Sequence, residues 1–199
     1  MTLTSFNEQN IPLLVDRVFP LWKAEGMSDE FNRLYVEMII RTNLHVNQIQ
    51  FELCDKESDT LKAICFAAKI GDERDDAWYE KTLVTLNNEE RTVFTNGRKY
   101  LLGMEEKTFS LMTEDDVKLC LFISLEKHWG TKILSQATDY FVGQRVKNIY
   151  LWTDGECNVD WYFKNNFELV LEEEYKPFST QAKPYMTYIF KKSLVSEKK

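Results

Sequence analysis

The sequence predicts an α/β protein, an α+β arrangement of helices around one mixed sheet. Three observations carry that prediction. Apolar residues recur at helical spacing over residues 10–24 and again beyond residue 28, then switch to a period of two near residue 49. The C-terminal half reads strand, helix, strand, helix, strand, strand, which asks for one helical crossover per parallel pair. The chain has 199 residues, 44% hydrophobic and 14% aromatic, enough for a single domain with its own core.

A short first strand is expected over residues 2–6. Ile11, Leu14, Val15, Val18 and Trp22 then mark a helix, with Pro12 suited to a first turn and Pro20 expected to kink or end it. Ser28 or Asp29 caps a second helix whose buried stripe is Phe31, Leu34, Tyr35, Met38 and Ile39. Ile49, Phe51 and Leu53 alternate with Gln48, Gln50 and Glu52, the pattern of a half-buried strand. A polar turn at 55–60 and an apolar strand at 61–70 complete a hairpin. Residues 71–76 form a charged break. Helical patterns follow around 78–86 and 89–112, a helical insertion of about 40 residues, too long for a plain loop.

Residues 117–125 are the most strand-like in the chain. Val117, Leu119, Leu121, Ile123 and Leu125 share one face, with Cys120 and Phe122 on the other, as in a central strand covered on both sides. Gly130 and Thr131 open a helix with Ile133, Leu134, Ala137, Tyr140 and Phe141 inward. A strand at 148–153, a short helix at 158–165 and strands at 168–175 and from 183 onward finish the pattern. The segment 193–199 reads as a polar, flexible tail.

Composition narrows the partners. Lys and Arg number 25 against 32 Asp and Glu, a net charge of −7, so no basic face for neutralising phosphates appears and nucleic acid is not an expected partner. The longest apolar run, residues 63–68, is far short of the ~20 residues of a membrane span. The first residues lack the basic and apolar regions of a signal peptide, and the expected compartment is the cytoplasm. Cys54, Cys65, Cys120 and Cys157 show no CxxC spacing, and three lie in apolar strand-like segments. Buried thiols are the simpler reading, with a disulfide or metal role the alternative. His45 and His128 are too few for a His-rich metal site, and no metal is expected.

Two segments carry possible chemistry. Residues 123–132, Ile-Ser-Leu-Glu-Lys-His-Trp-Gly-Thr-Lys, leave a buried strand and enter a helix. First-turn amides and the helix dipole favour an anion there, and Lys127 and Lys132 add charge; the plainer reading is a helix that begins with lysines on its solvated face. Residues 152–167 run from a strand end through a polar turn to a short aromatic helix, with Asn158 as a cap and Trp161 and Phe167 as core.

Together these segments resemble the GNAT superfamily of acyl-CoA-dependent N-acyltransferases. That family follows a strand with a pyrophosphate loop, Q/R-x-x-G-x-G/A, and later carries an Asn and the pattern Y-x-x-x-G-F. Tyr162 to Phe167 matches the latter with Asn166 in place of Gly, and Asn158 lies four residues before Tyr162. In the loop, Gly130 takes the last small position, His128 the middle glycine and Leu125 the Gln/Arg position. The resemblance implies a GNAT-like fold with a splayed central strand pair and the helical insertion, 71–116, between the third and fourth strands.

The resemblance also implies a reaction. Acetyl-CoA would be the co-substrate and an amine, small-molecule or protein, the acceptor, joined by direct attack in a ternary complex. Phe122, Ile123 and Ser124 would offer backbone groups to the pantetheine arm and thioester; Lys127, His128, Trp129, Gly130 and Thr131 would hold the pyrophosphate, with Lys132 flanking and Asn158 nearby. Tyr162 is the implied general acid, the alternative being a tyrosine packed beside Trp161. The base stays open among Glu52, Glu126, acids of the insertion, His128 and a water chain. A catalytically degenerate acyl-CoA-binding or interaction module is the alternative function. The expected oligomer is a monomer or homodimer. The insertion is expected to cover the acceptor side or to support a dimer contact.

Overall fold

In the computed structural model, residues 4–46, 49–55 and 60–194 are described. They form a seven-stranded sheet in the order β1-β2-β3-β4-β5-β7-β6. The strands are β1 (Thr4–Ser5), β2 (Ile49–Cys54), β3 (Leu61–Ala68), β4 (Val117–Ser124), β5 (Asn148–Asp154), β6 (Glu168–Glu174) and β7 (Met186–Ser193). The helices are α1 (Ile11–Trp22), α2 (Asp29–Thr42), α3 (Ala77–Leu83), α4 (Asn88–Ser110), α5 (Trp129–Gly143) and α6 (Val159–Lys164). The predicted mixed α/β fold is present, and its helices between β3 and β4 occupy the stretch read as helical.

The sheet is antiparallel except between β4 and β5. That parallel pair is in register only at Val117↔Ile149 and Lys118↔Tyr150, after which the two strands part. The break coincides with an irregularity in β4's other ladder: Phe66 pairs with Leu121 but Ala67 pairs with Leu119, so Cys120 is the extra residue of a β-bulge. A bulge bends its strand and increases local twist. Here it turns β4 away from β5 and opens the sheet at the C-terminal ends of both.

Helices cover both faces. Ile133, Leu134, Ala137 and Phe141 of α5 pack with Leu53, Cys65, Val117, Ile149 and Phe190 on one face. On the other, α1 and α2 close over Ile64, Phe66, Leu121 and Ile123, while Phe94, Tyr100, Leu101 and Met104 of α4 pack with Phe31, Met38, Tyr150 and Ile189. Ser28 caps α2 by accepting from the Phe31 N–H at 3.1 Å, and Asn87 and Glu90 form a reciprocal capping box on α4.

Some local expectations change. Helix α1 runs past Pro20 but ends two residues later at Trp22; the amide that Pro20 lacks leaves the bond to the Asp16 carbonyl unmade, and the helix stops within its next turn. In α2, Val36 and Ile40 are buried while Leu34, Tyr35 and Ile39 are half-buried, since α4 packs on its flank. Tyr140 of α5 is exposed, its ring lying edge-on to Phe51. Ser193 and Leu194 are not part of a loose tail: Ser193 pairs with Asn148, and the Leu194 N–H donates to the Lys147 carbonyl at 2.8 Å. Residues 195–199, like the start of the expected first strand (2–3) and most of the polar turn (56–59), lie outside the described residues.

One glycine is set by close approach. A Cβ at Gly97 would lie 2.5 Å from the Tyr35 hydroxyl, where α4 crosses α2. Gly97→Ala gains about 1 kcal/mol of helix propensity and loses about 1–3 kcal/mol to overpacking. The expected net result is a lower urea midpoint with an unchanged slope; a raised midpoint would show that Tyr35 yields freely.

Candidate functional site

The parting of β4 and β5 forms the floor of a cleft of about 660 Å³. Leu119, Cys120, Leu121 and Phe122 line it from β4, and Leu151, Trp152, Thr153 and Asp154 from β5. Trp22 to Glu25, at the end of α1 and just after it, and Gly97, Tyr100 and Leu101 of α4 form other walls. Phe178 and Tyr185, from the β6–β7 connection, and Tyr162 of α6 complete it.

Tyr162 reaches the cleft because α6 follows β5 directly and its ring is wedged in the core, stacked on Phe190 at 5.3 Å and edge-on to Trp161 and Phe167. Burial first, and then Cys157, push its hydroxyl up to about 12, while a hydrogen bond with Thr153 acts the other way. The phenol is therefore protonated at neutral pH, as a donor must be. The side chain packs beside Trp161, the plainer of the two readings, and it also lines the cleft.

The β4–α5 turn contains a left-handed residue. His128, exposed at the N-cap of α5, has φ +73°, the left-handed conformation that a glycine supplies elsewhere. Asn166 likewise has φ +61°. The first-turn amides are partly used internally: the Gly130 N–H donates to Ser124 Oγ at 3.0 Å and the Trp129 N–H to the Glu126 carbonyl at 3.3 Å. Gly130 is small for packing, since a Cβ would meet the Phe122 ring at 3.2 Å. Lys127 and Thr131 are exposed, and the Lys132 ammonium lies 4.2 Å from the centre of the Trp129 ring.

Of the sequence-predicted residues, Phe122 and Tyr162 line the cleft. Ile123, Ser124, residues 127–132 and Asn158 lie outside its lining. Asn158 sits at the N-cap of α6 but makes no side-chain cap bond, because its backbone is turned away from the extended geometry such a bond needs. The carboxylates weighed as a base are engaged elsewhere: Glu52 accepts from the Asn7 N–H and from Asn10, and Glu126 pairs with Lys62.

The structure adds Asp154, Phe178 and Tyr185, which the sequence reading did not single out, and brings Tyr100 of the insertion to them. Asp154 Oδ2 accepts from the Tyr185 hydroxyl at 2.8 Å and the Tyr100 hydroxyl at 3.4 Å. Around it the rings of Tyr100, Trp152, Phe178 and Tyr185 pack with centroids 5.0 to 6.0 Å apart. Burial and the Asp154 charge hold both tyrosine hydroxyls protonated. A carboxylate ringed by aromatic faces is a surface suited to a cation.

This architecture matches solved structures over essentially the whole chain. The ribosomal-protein-S18-alanine N-acetyltransferase from Escherichia coli superposes with a TM-score of 0.54 at 11% identity, over 100% of this chain and 97% of the other. The spermidine/spermine N-acetyltransferase SpeG from Vibrio cholerae gives 0.51 at 13%, over 97% and 92%. An acetyltransferase of the GNAT family from Streptococcus pneumoniae gives 0.50 at 11%, over 96% and 98%. The chain has the GNAT fold. No family model matches the sequence, and no curated protein matches it. The likeness is one of fold, and the splayed central strand pair expected of that fold is the β4–β5 parting described above. Among the described residues no helix is long and apolar enough to cross a membrane.

Proposed function

We propose that this chain is an acyl-CoA-dependent N-acetyltransferase of the GNAT superfamily that acetylates a cationic primary amine, most simply a small molecule. One observation carries the reading: the β4–β5 cleft is lined both by Tyr162, whose hydroxyl is protonated, and by the Asp154 carboxylate with its aromatic rings. A thioester and an amine can meet between them.

In this reading acetyl-CoA lies along β4, with backbone groups of Phe122, Ile123 and Ser124 aligning the pantetheine arm. The turn at residues 127–131, flanked by Lys132 and with Asn158 nearby, faces the pyrophosphate. The ammonium docks at Asp154, Tyr100 and Tyr185, and gives up its proton through Asp154 or a water held there. The free amine attacks the thioester carbonyl directly in a ternary complex. Tyr162 donates a hydrogen bond to the departing sulfur. The whole chain acts as one domain in this scheme. Residues 71–116 are an insertion whose α4 covers the acceptor side, supported by Gly97, Tyr100 and Leu101 in the cleft wall.

A second reading, an acyl-CoA-binding or interaction module without turnover, is favoured by the internal use of the Gly130 amide. Titration calorimetry separates the two. Acetyl-CoA and free CoA are both expected to release binding heat and to raise the melting temperature by mass action, about 2.7 kcal/mol of added stability at a hundredfold excess over Kd. Heat with neither would overturn the enzyme reading. Heat with both but no acetyl transfer to a panel of polyamines and aromatic amines would favour the module.

A further inference from the structure

The cleft wall contains a polar cluster that the reaction above does not use. Cys120, the bulged residue of β4, lines the cleft and lies with its Sγ 4.0 Å from His45 Nδ1. His45 is buried at the end of the turn after α2, and its Nε2 is 3.1 Å from a guanidinium nitrogen of Arg74. The same Nε2 lies 3.4 Å from the Glu105 carboxylate; in the tautomer that accepts at Nε2 from the nearer guanidinium, the proton of a neutral His45 sits on Nδ1, directed at the Cys120 sulfur. Two positions before Cys120, the fully buried Lys118 ammonium holds Glu105 Oε2 at 2.7 Å, and Arg74 pairs with the same carboxylate.

The groups facing Cys120 are therefore Lys118 from its own strand, His45 from the turn after α2, Arg74 from the β3–α3 connection, and the thiol of Cys65 from β3. One carboxylate, Glu105, is shared between two of these cations. The balance is positive, and it faces a sulfur. In its thiol form Cys120 donates weakly to the Lys118 carbonyl at 3.6 Å; as a thiolate it accepts the His45 Nδ1 proton instead. Burial pushes the thiol up, but Lys118, the His45 bond and Arg74 together outweigh it, and the net shift is downward.

We propose that Cys120 is a nucleophilic thiolate that accepts the acyl group from an acyl-CoA thioester when no amine occupies the cleft. The proposal rests on the acyl-CoA reading above for its donor. The Cys120 sulfur attacks the carbonyl carbon, forming a new carbon–sulfur bond; the bond to the CoA sulfur breaks, and CoA leaves as a thiolate that takes its proton from solvent. One thioester replaces another, with no change of oxidation state. The His45 nitrogen, a Glu105 oxygen and the Cys120 sulfur also lie within 4.8 Å of one another, a spacing that a metal could use. Both carboxylate oxygens are already held by Lys118 and Arg74, however, and two cations there oppose a third charge.

The test uses the full chain. Iodoacetamide at neutral pH is expected to alkylate Cys120 faster than the exposed Cys157, with peptide mapping to separate the sites and a midpoint below that of an ordinary thiol. Acetyl-CoA without amine is expected to leave a single acetyl adduct on the Cys120 peptide, removed by neutral hydroxylamine and lost in Cys120→Ser. Binding of acetyl-CoA by calorimetry without that adduct would overturn the proposal. So would alkylation no faster than at Cys157, or protection of Cys120 by added zinc, which would assign the three donors to a metal. If acetyl-CoA does not bind, the acyltransferase reading fails instead. The alkylation rate and transfer from a small acyl thioester, S-acetyl-N-acetylcysteamine, then decide the nucleophile on their own.

Discussion

Glu105→Ala is expected to cost about 3–5 kcal/mol of folding stability, the range for removing one partner of a buried ion pair. Lys118 has no exposed surface, and Glu105 on α4 is the carboxylate that holds it, with Arg74 on the other oxygen. Deleting the carboxylate leaves two cations facing each other beside the core. A domain of this size is stable by about 5–15 kcal/mol, so the variant stands near the edge of folding. The deficit has a pH signature. Burial already lowers the Lys118 pKa, and without Glu105 it falls further, so the unfolded state binds more protons than the folded one. Stability of the variant then rises with pH. Urea midpoints measured from about pH 6 to about pH 9 should show the gap to the parent closing. Glu105→Met combined with Lys118→Met should recover most of the loss, because an apolar pair of similar volume avoids the desolvation. A Glu105→Ala deficit below about 1 kcal/mol at pH 7 would mean that Lys118 is already neutral in the fold.

This pair shows which features a sequence displays. Alternation at Phe51 and Leu53, the apolar run into β3 and the switch to helical spacing after Gly130 are local patterns, and the elements follow them closely. The left-handed turn at Asn166 was also legible, through the position that glycine fills in the family it resembles; the one at His128 was not read as such. The bulge was not legible. Leu119, Cys120, Leu121 and Phe122 are all apolar, so nothing local marks Cys120 as the extra residue. Lys118 is concealed for a different reason: its partner lies 13 residues away, on a different element. The proposed acceptor face is the extreme case. Asp154, Tyr100, Phe178 and Tyr185 come from β5, α4 and the β6–β7 connection, and their meeting is a property of the topology that no window of sequence contains. Tyr162 was found because it sits inside a short motif; Asp154 was passed over because it does not.

Tyr162→Phe is expected to lower kcat with acetyl-CoA about 10²-fold, the lower end of the range for a positioned acid, while leaving the Kd for acetyl-CoA nearly unchanged. Phenylalanine keeps the stack on Phe190 and the edge contacts to Trp161 and Phe167. The folded state then loses one hydrogen bond, with Thr153, worth about 1 kcal/mol. The lower end is chosen on chemical grounds. A phenol pushed up to about 12 is a weaker acid than the thiol it would generate, whose ordinary value is about 8.5. Full proton transfer is uphill, so the hydroxyl acts by a hydrogen bond that strengthens as charge builds on sulfur. The size of the defect must therefore depend on the leaving group. Aryl thioesters, whose thiols are more acidic than CoA, need less help, and with them the Tyr162→Phe defect should shrink towards unity. A defect of the same size across the series would place Tyr162 among the packing residues. Full activity with acetyl-CoA itself would remove the hydroxyl from the chemistry altogether.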